Sequence, residues 1–176
     1  MPSPVGHSIL SLTIAFVFTP KHKFNLKFLI FIFFLGILPD LDLFPILIMG
    51  ITRGGAYHQL YTHNLFFTLL IGSSIYLLTK NKIWGLLSFG IVLLHLLADI
   101  LVTDFKPPVG VPLFYPLWKK TFSLGLFPGI TKESWHSLFS WANLKAVAIE
   151  IFVFLPLLIV SIISRKKRKF EKIIFL

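Results

Sequence analysis

A histidine and an aspartate stand out in the largely apolar stretch HLLADILVTD at residues 95–104. His95 and Asp99 are four positions apart, so a helix would place them on one face, one turn from each other. An ionisable group in a segment long enough to cross a membrane is costly unless something compensates it. Imidazole nitrogens and carboxylate oxygens both bind metals, so the pair predicts either two ligands of one ion or a hydrogen-bonded structural contact.

Other residues of the same chemistry lie earlier in the chain. PDLD contains Asp40 and Asp42, HQLYTH contains His58 and His63, and His7 lies near the start. Each signal has a structural alternative: aspartates are common in turns, and histidines five positions apart do not share a helix face. Their joint interpretation therefore depends on which elements carry them and where those elements end.

Composition indicates an integral membrane protein. The 176 residues are 56% hydrophobic and 14% charged, with a mean hydropathy of +0.84. An average soluble domain is about 25% charged. The net charge of +10 is typical of basic membrane loops at this hydropathy, so we expect no direct nucleic-acid binding. The sequence contains no cysteine, so a metal would be held by histidine, aspartate or glutamate.

Apolar segments predict an all-α membrane bundle with about four to five membrane-embedded helices, because a spanning backbone must satisfy its own hydrogen bonds. We expect one domain over 1–176, with its last transmembrane helix at 146–163 and a basic tail at 164–176. Residues 103–141, rich in proline, glycine and tryptophan, predict a loop region with short surface helices. The segments are 5–18, 24–38, 43–51 (too short to span alone), 65–79, 83–102 and 146–163.

Basic residues assign the two ends of the bundle. If the sequences KNK and RKKRK are cytoplasmic, as the positive-inside rule favours, the helices alternate in direction and the sequence KHK near the start joins the same side. Eleven of the 17 lysines and arginines then lie inside: Lys21, Lys23, Lys27, Lys80, Lys82, Arg165, Lys166, Lys167, Arg168, Lys169 and Lys172. The topology is multi-pass, and its outer helix ends carry the histidines and aspartates described above.

This convergence predicts a metal site at one membrane face, on the extracytoplasmic side. Zinc is the expected ion and manganese the alternative, and bound metal would offset the acidic charge. Asp40 and Asp42 are the candidate catalytic carboxylates, with Asp42 either a ligand or a general base. Thr103 and Asp104 are candidates for hydrogen bonds to metal-bound imidazoles. The expected ligands are His7, Asp40, His58, His63, His95 and Asp99.

The motifs ILPDLD, HQLYTH and HLLADILVTDFKPPVGVPLFYP resemble the signatures of the membrane-bound metal-dependent hydrolases, also called the LexA-binding, inner membrane-associated hydrolase family. The resemblance covers residues 7–117. It implies a metal-dependent hydrolase distantly similar to zinc-dependent phospholipase C and single-strand nucleases, with one to three ions. The matching residues are His7, Asp40, Asp42, His58, Thr62, His63, His95, Asp99, Thr103, Gly110 and Pro116.

Two positions depart from the family pattern. Gln59 stands where arginine is usual, which removes a rigid bidentate anion ligand, and Asn64 replaces serine. The resemblance nevertheless implies hydrolysis of a phosphoester, such as a phospholipid headgroup, and we expect membrane lipid as the partner. The alternatives are a non-catalytic membrane adaptor, whose surface would be the basic tail, and an ion transporter with a His/Asp relay. Oligomeric state does not follow from the sequence.

Overall fold

The structure, a computed structural model, describes residues 1–19, 24–44, 59–104, 109–131 and 138–167. These residues form five α-helices, a short 3-10 helix and one pair of very short parallel strands, β1 and β2. The elements are α1 (Pro4–Phe18), α2 (Leu26–Ile37), the 3-10 helix (Pro39–Leu43), α3 (Leu65–Thr79), α4 (Lys82–Leu101), β1 (Val102–Thr103), β2 (Phe127–Pro128) and α5 (Trp141–Lys167).

Three helices begin at asparagine caps. The side-chain oxygens of Asn25, Asn64 and Asn81 accept backbone N–H bonds of 2.8–2.9 Å in the first turns of α2, α3 and α4. Each cap satisfies a donor that has no partner within the helix. α1 begins in the same way at Ser3, followed by Pro4 at the first helical position.

Helix α1 lies at the centre of the bundle and packs against α2, α4 and α5, while α3 packs along α4. The apolar core joins α1, α2 and α4, and a smaller cluster of Leu10, Ala98 and Phe154 joins α1, α4 and α5. The main core is formed by Ala15, Phe28, Ile32, Leu35, Leu87, Ile91, Val92, Leu96 and Val111.

Glycines set the distance between α3 and α4. A Cβ atom added at Gly72 would lie 2.8 Å from Phe89 Cβ, and one at Gly85 would lie 2.7 Å from Tyr76 Cβ. Neither helix could carry a side chain at these two positions without moving apart from its neighbour. Small residues at such crossings are typical of helix packing in membranes.

Aromatic contacts bring together the helix ends opposite to the PDLD motif. Phe16, near the end of α1, lies 4.5 Å from Phe24, just before α2. The guanidinium of Arg165, near the end of α5, lies 3.8 Å from the Phe24 ring centroid, and Phe28 contacts Trp84 of α4. The bundle therefore alternates in direction, and this end also carries the α3–α4 turn with its lysines.

The all-α prediction is confirmed in its coarse form. α4 has 20 residues and the apolar part of α5 has 25, long and apolar enough to cross a membrane. α1, α2 and α3 have 15, 12 and 15 residues, or about 18–22 Å, against a hydrocarbon core of about 30 Å.

Element bounds differ from the sequence expectation mainly in α5. This helix begins at Trp141 and extends to Lys167, beyond the predicted 146–163, because its polar and basic ends carry no hydrophobic signal. The described residues of 103–131 form turns and the two strands, without the short surface helices expected there. Of the predicted segment 43–51, all but the first two residues lie outside the described part.

Candidate metal centre

Five of the six expected ligands meet at one end of the bundle. His7 comes from the first turns of α1, Asp40 from the 3-10 helix, His63 from the residue before the α3 cap, and His95 and Asp99 from the last turns of α4. All five are at least 94% buried. His58, the sixth, lies outside the described residues.

Local sequence explains how the side chains are held. Proline at position 39 ends α2 and opens the 3-10 helix, which turns the chain so that Asp40 points inward. The Asn64 cap fixes the chain before α3, and its side-chain amide also donates to the carbonyls of Leu60 and Tyr61. His63, the residue before Asn64, is therefore held between this hydrogen-bonded turn and the start of α3.

Hydrogen bonds orient two of the imidazoles with Nε2 inward. His95 Nδ1 lies 2.7 Å from the Gly36 carbonyl oxygen, which can only accept, so Nδ1 carries the proton. Thr62 donates its hydroxyl hydrogen to Asp42 at 2.6 Å, so its oxygen must accept from Nδ1 of His63 at 2.9 Å. In the neutral rings both inward Nε2 atoms are then lone-pair donors to whatever lies between them.

The inward atoms are spaced as ligands of one ion. The two Nε2 atoms of His63 and His95 are 3.3 Å apart. Nε2 atoms of the three histidines lie 3.2–3.7 Å from the Asp40 and Asp99 oxygens. Ligands about 2.1 Å from a tetrahedral zinc ion are about 3.4 Å from one another. Distances of this size therefore fit side chains that share a divalent ion, which in tetrahedral geometry would bind four of the five at most.

Two triads within this cluster have all ligand atoms within 4.8 Å of one another: His7 with His95 and Asp99, and Asp40 with His63 and His95. Both triads include His95. Its Nδ1 is hydrogen-bonded to the Gly36 carbonyl, so both triads use the same Nε2 atom. The rings of His7 and His95 also stack, with centroids 3.6 Å apart. Since one nitrogen binds one ion at a time, the two triads are alternative ligand sets for a single ion.

The cluster leaves polar atoms unsatisfied. Both nitrogens of His7 and all four oxygens of Asp40 and Asp99 are buried without a hydrogen-bond partner among the described residues. Buried polar groups are nearly always paired, because leaving one unpaired costs about 1–3 kcal/mol. A cation at the centre would compensate several of these atoms at once.

Electrostatics at the centre favours charged groups. Burial alone would raise the pKa of Asp40, but the imidazoles of His95, His63 and His7 outweigh it and hold the pKa well below its ordinary value. Burial alone would lower the pKa of His63, yet Asp40, Asp42 and Asp99 raise it well above 6.5. The carboxylates thus create a negative potential that a proton or a metal ion can neutralise.

Asp42 lies behind His63 and not among the inward atoms. Its Oδ2 accepts from the Gln59 backbone N–H at 2.7 Å and from Thr62, and lies 3.5 Å from His63 Nδ1. This is the position of the carboxylates that orient metal-binding histidines from outside. Gln59 itself has a positive φ of 66° and a fully buried side chain.

Among the described residues, Asp104 does not form the expected hydrogen bond to a predicted ligand. Its carboxylate instead pairs with the Met1 amino group at 2.7 Å and accepts from Gly110 N–H at 3.1 Å. Thr103 lies in β1, where it pairs with Pro128. Thr62 and the Gly36 carbonyl take the outer positions instead. A backbone carbonyl has no side-chain signature, so the sequence could not point to Gly36.

Comparison with curated proteins and with solved structures gave no match. The family model described as YdjM inner membrane protein matches residues 1–168. That match agrees with the apolar helices and indicates a membrane location. Since it covers nearly the whole sequence, the chain belongs to the YdjM inner membrane protein family.

Proposed function

We propose that the protein is a membrane-bound metal-dependent hydrolase that acts on a phosphoester. One observation carries this proposal: three imidazole Nε2 atoms and two carboxylates face one another at 3.2–3.7 Å. A purely structural cluster would be expected to hydrogen-bond its polar atoms internally, whereas His7 Nε2 and all four oxygens of Asp40 and Asp99 have no hydrogen-bond partner among the described residues.

The proposed metal centre holds one divalent ion, with zinc the first candidate and manganese the alternative. Its ligands would be drawn from the nitrogen donors His7, His63 and His95 and the oxygen donors Asp40 and Asp99. A mixed set of imidazole and carboxylate ligands suits either ion. When bound, such an ion polarises a phosphoryl oxygen and lowers the pKa of nearby water. Two or three ions would need ligands beyond the described residues.

Asp40 and Asp42, the two carboxylates predicted to be catalytic, have different surroundings. Both Asp40 oxygens lack a hydrogen-bond partner in the part of the chain that the structure describes, so one can bind metal while the other accepts a proton from water. The Oδ2 atom of Asp42 is engaged by Gln59, Thr62 and His63. We therefore assign proton transfer to Asp40 and the orientation of His63 to Asp42.

The proposed substrate is the headgroup of a membrane lipid, or another phosphoester at the membrane surface. The centre lies at the end of the bundle opposite Arg165 and the lysines of the α3–α4 turn. The positive-inside rule then favours the extracytoplasmic face. Exposed Trp118, with Lys120 5.5 Å from its ring centroid, follows α4 at the same end. Tryptophan and lysine there suit an interfacial position beside lipid headgroups.

The other functions have less support. An ion transporter needs polar groups along a path across the membrane, whereas the described histidines and carboxylates cluster at one end of the helices. An adaptor would use the basic tail, whose residues beyond 167 lie outside the described part.

The test is hydrolysis by protein purified in detergent and returned to lipid nanodiscs. Phosphate and headgroup release would be measured from phosphatidylglycerol, phosphatidylethanolamine and phosphatidate, with bis(p-nitrophenyl) phosphate as a soluble probe. We expect zinc- or manganese-dependent release that a chelator stops and that Asp99→Asn abolishes. Ser88→Ala, a buried change on the same helix, is the control and should retain activity. Bound metal without hydrolysis of any of the four probes would refute the proposed reaction while retaining the metal centre.

A further inference from the structure

One buried carboxylate is not explained by the metal centre. Glu150 lies in the apolar helix α5 and is 3% exposed. Its Oε1 and Oε2 accept from the Ser3 backbone N–H at 2.9 and 3.0 Å, and Oε2 also accepts a short bond from the Ser3 hydroxyl. A carboxylate in such a segment is costly, so a specific role is expected.

These bonds attach the first turn of α1 to α5. Ser3 is the cap of α1, its hydroxyl oxygen accepts from Gly6 N–H at 3.2 Å, and its carbonyl accepts from His7 N–H at 3.1 Å. Gly6 lies directly against the carboxylate, because an added Cβ would be 2.6 Å from Glu150 Oε2. Glu150 therefore holds the first turn of α1 in place, and this turn includes Ser3, Gly6 and His7.

His7 differs from the other two histidines in how it is held. His63 and His95 each have an Nδ1 hydrogen bond that orients the ring. Both nitrogens of His7 are buried without such a bond among the described residues. Its ring position therefore depends on stacking against His95 and on where the first turn of α1 lies.

We propose that Glu150 is a positioning residue for His7. By binding Ser3, it fixes the start of α1 against α5 and so brings the His7 ring to the metal centre. Glu150 thus positions His7 indirectly, through the start of α1. Thr62 and the Gly36 carbonyl instead orient His63 and His95 by direct hydrogen bonds. The metal-affinity part of this inference rests on the proposed metal centre, whereas the placement of His7 in the metal-free protein does not.

The first experiment is a double-mutant cycle on zinc affinity, measured by chelator competition in detergent. We expect Glu150→Ala to weaken binding about 10–100-fold, the effect usual for residues that orient ligands. It should add nothing to His7→Ala in the double variant, because both remove the same ligand. It should add fully to Asp40→Asn, whose ligand is held by the 3-10 helix. An effect of Glu150→Ala that adds fully to His7→Ala would refute the proposal.

The second experiment needs no metal. In chelator-treated protein with 13C-labelled histidine, stacking at 3.6 Å should shift the His7 ring signals, with His7→Ala used to assign them. Glu150→Ala should move these signals toward free-histidine values. Unchanged signals would overturn the inference. Glu150→Gln, which keeps an acceptor oxygen for Ser3, should restore both the signals and the affinity, and a folded Glu150→Gln that behaves like Glu150→Ala would also count against it.

The two proposals can fail separately. If the wild type binds no zinc or manganese, the metal centre is wrong, and the NMR comparison still decides whether Glu150 places His7. If metal binds but the His7 signals are the same in the wild type and in Glu150→Ala, only the positioning role is wrong. Ser3→Ala is a milder variant that keeps the two backbone bonds and loses the hydroxyl bond. It should shift the His7 signals less than Glu150→Ala does, and an equal or larger shift would contradict the mechanism.

Discussion

Removal of the Asp42 carboxylate should weaken metal binding although Asp42 is not an expected ligand. Its Oδ2 accepts from Gln59 N–H at 2.7 Å and from the Thr62 hydroxyl at 2.6 Å. In Asp42→Ala, Thr62 no longer has this acceptor and can turn its hydrogen toward His63 Nδ1. That would change the tautomer of His63 and direct an N–H at the metal. We expect zinc affinity to fall about 10–100-fold, or about 1.4–2.7 kcal/mol.

The same change should also lower stability, because two donors lose their acceptor at about 1–3 kcal/mol each. Asn143→Ala is a matched control: Asn143 Oδ1 accepts from Thr131 N–H at 2.7 Å and from its hydroxyl at 3.0 Å. It should lose comparable stability in thermal unfolding while zinc affinity, measured by chelator competition, stays unchanged. Equal loss of affinity in the two variants, or none in Asp42→Ala, would refute the reasoning.

Three further predictions concern packing, capping and pH. Gly72→Ala should lower stability by about 1–3 kcal/mol, since its Cβ would lie 2.8 Å from Phe89. Gly90→Ala, with nothing within 4 Å, should be neutral or stabilising in the same thermal scan. Asn64→Ala should cost about 1 kcal/mol or more and Asn64→Ser less, because serine also caps helices but cannot replace both amide bonds to Leu60 and Tyr61; equal losses would argue against the cap. The raised pKa of His63 means that metal must displace its proton, so apparent affinity should weaken about tenfold per pH unit as pH falls from the raised pKa. A pH-independent affinity over that range would contradict this assignment.

The sequence predicted the helix positions closely, because the apolar runs begin directly after residues that cap helices. Segment 65–79 is α3 as the structure has it, and 83–102 differs from α4 by one residue at each end. The start of α5 was missed because Trp141–Lys145 are mostly exposed and carry no continuous apolar run. The strand pair was missed because it spans two residues on each side, too short for any alternation to appear.

Site residues were predictable where their chemistry is unusual in a membrane segment. His95 and Asp99 stood out by spacing alone, and the alternating helix directions brought His7, Asp40 and His63 to the same end. The sequence could not separate inward from outward carboxylates, because Asp40 and Asp42 are two positions apart in one motif. That distinction depends on the turn of the 3-10 helix and on the hydrogen bonds of Gln59 and Thr62.

The departures from the resembled family have different consequences. Asn64 occupies the cap of α3, which serine also fills well, so the change preserves the cap. Its amide adds bonds to the Leu60 and Tyr61 carbonyls that one hydroxyl could not both make. Gln59 contributes its backbone N–H to Asp42, and its buried carboxamide atoms have no hydrogen-bond partner among the described residues. Its neutral side chain supplies no charge for an anion, so any phosphate recognition depends on the metal and on other groups.

The central claim is that a metal ion binds at this end of the bundle, and metal content tests it most directly. Elemental analysis of detergent-purified protein, loaded with zinc and then desalted, should give about one equivalent per chain for a single-ion centre. Asp99→Asn, which keeps the side-chain shape but lacks the charge, should lose the ion, whereas Ser88→Ala should keep it. No metal in the wild type after loading with zinc or manganese would contradict the account, as would full retention in Asp99→Asn.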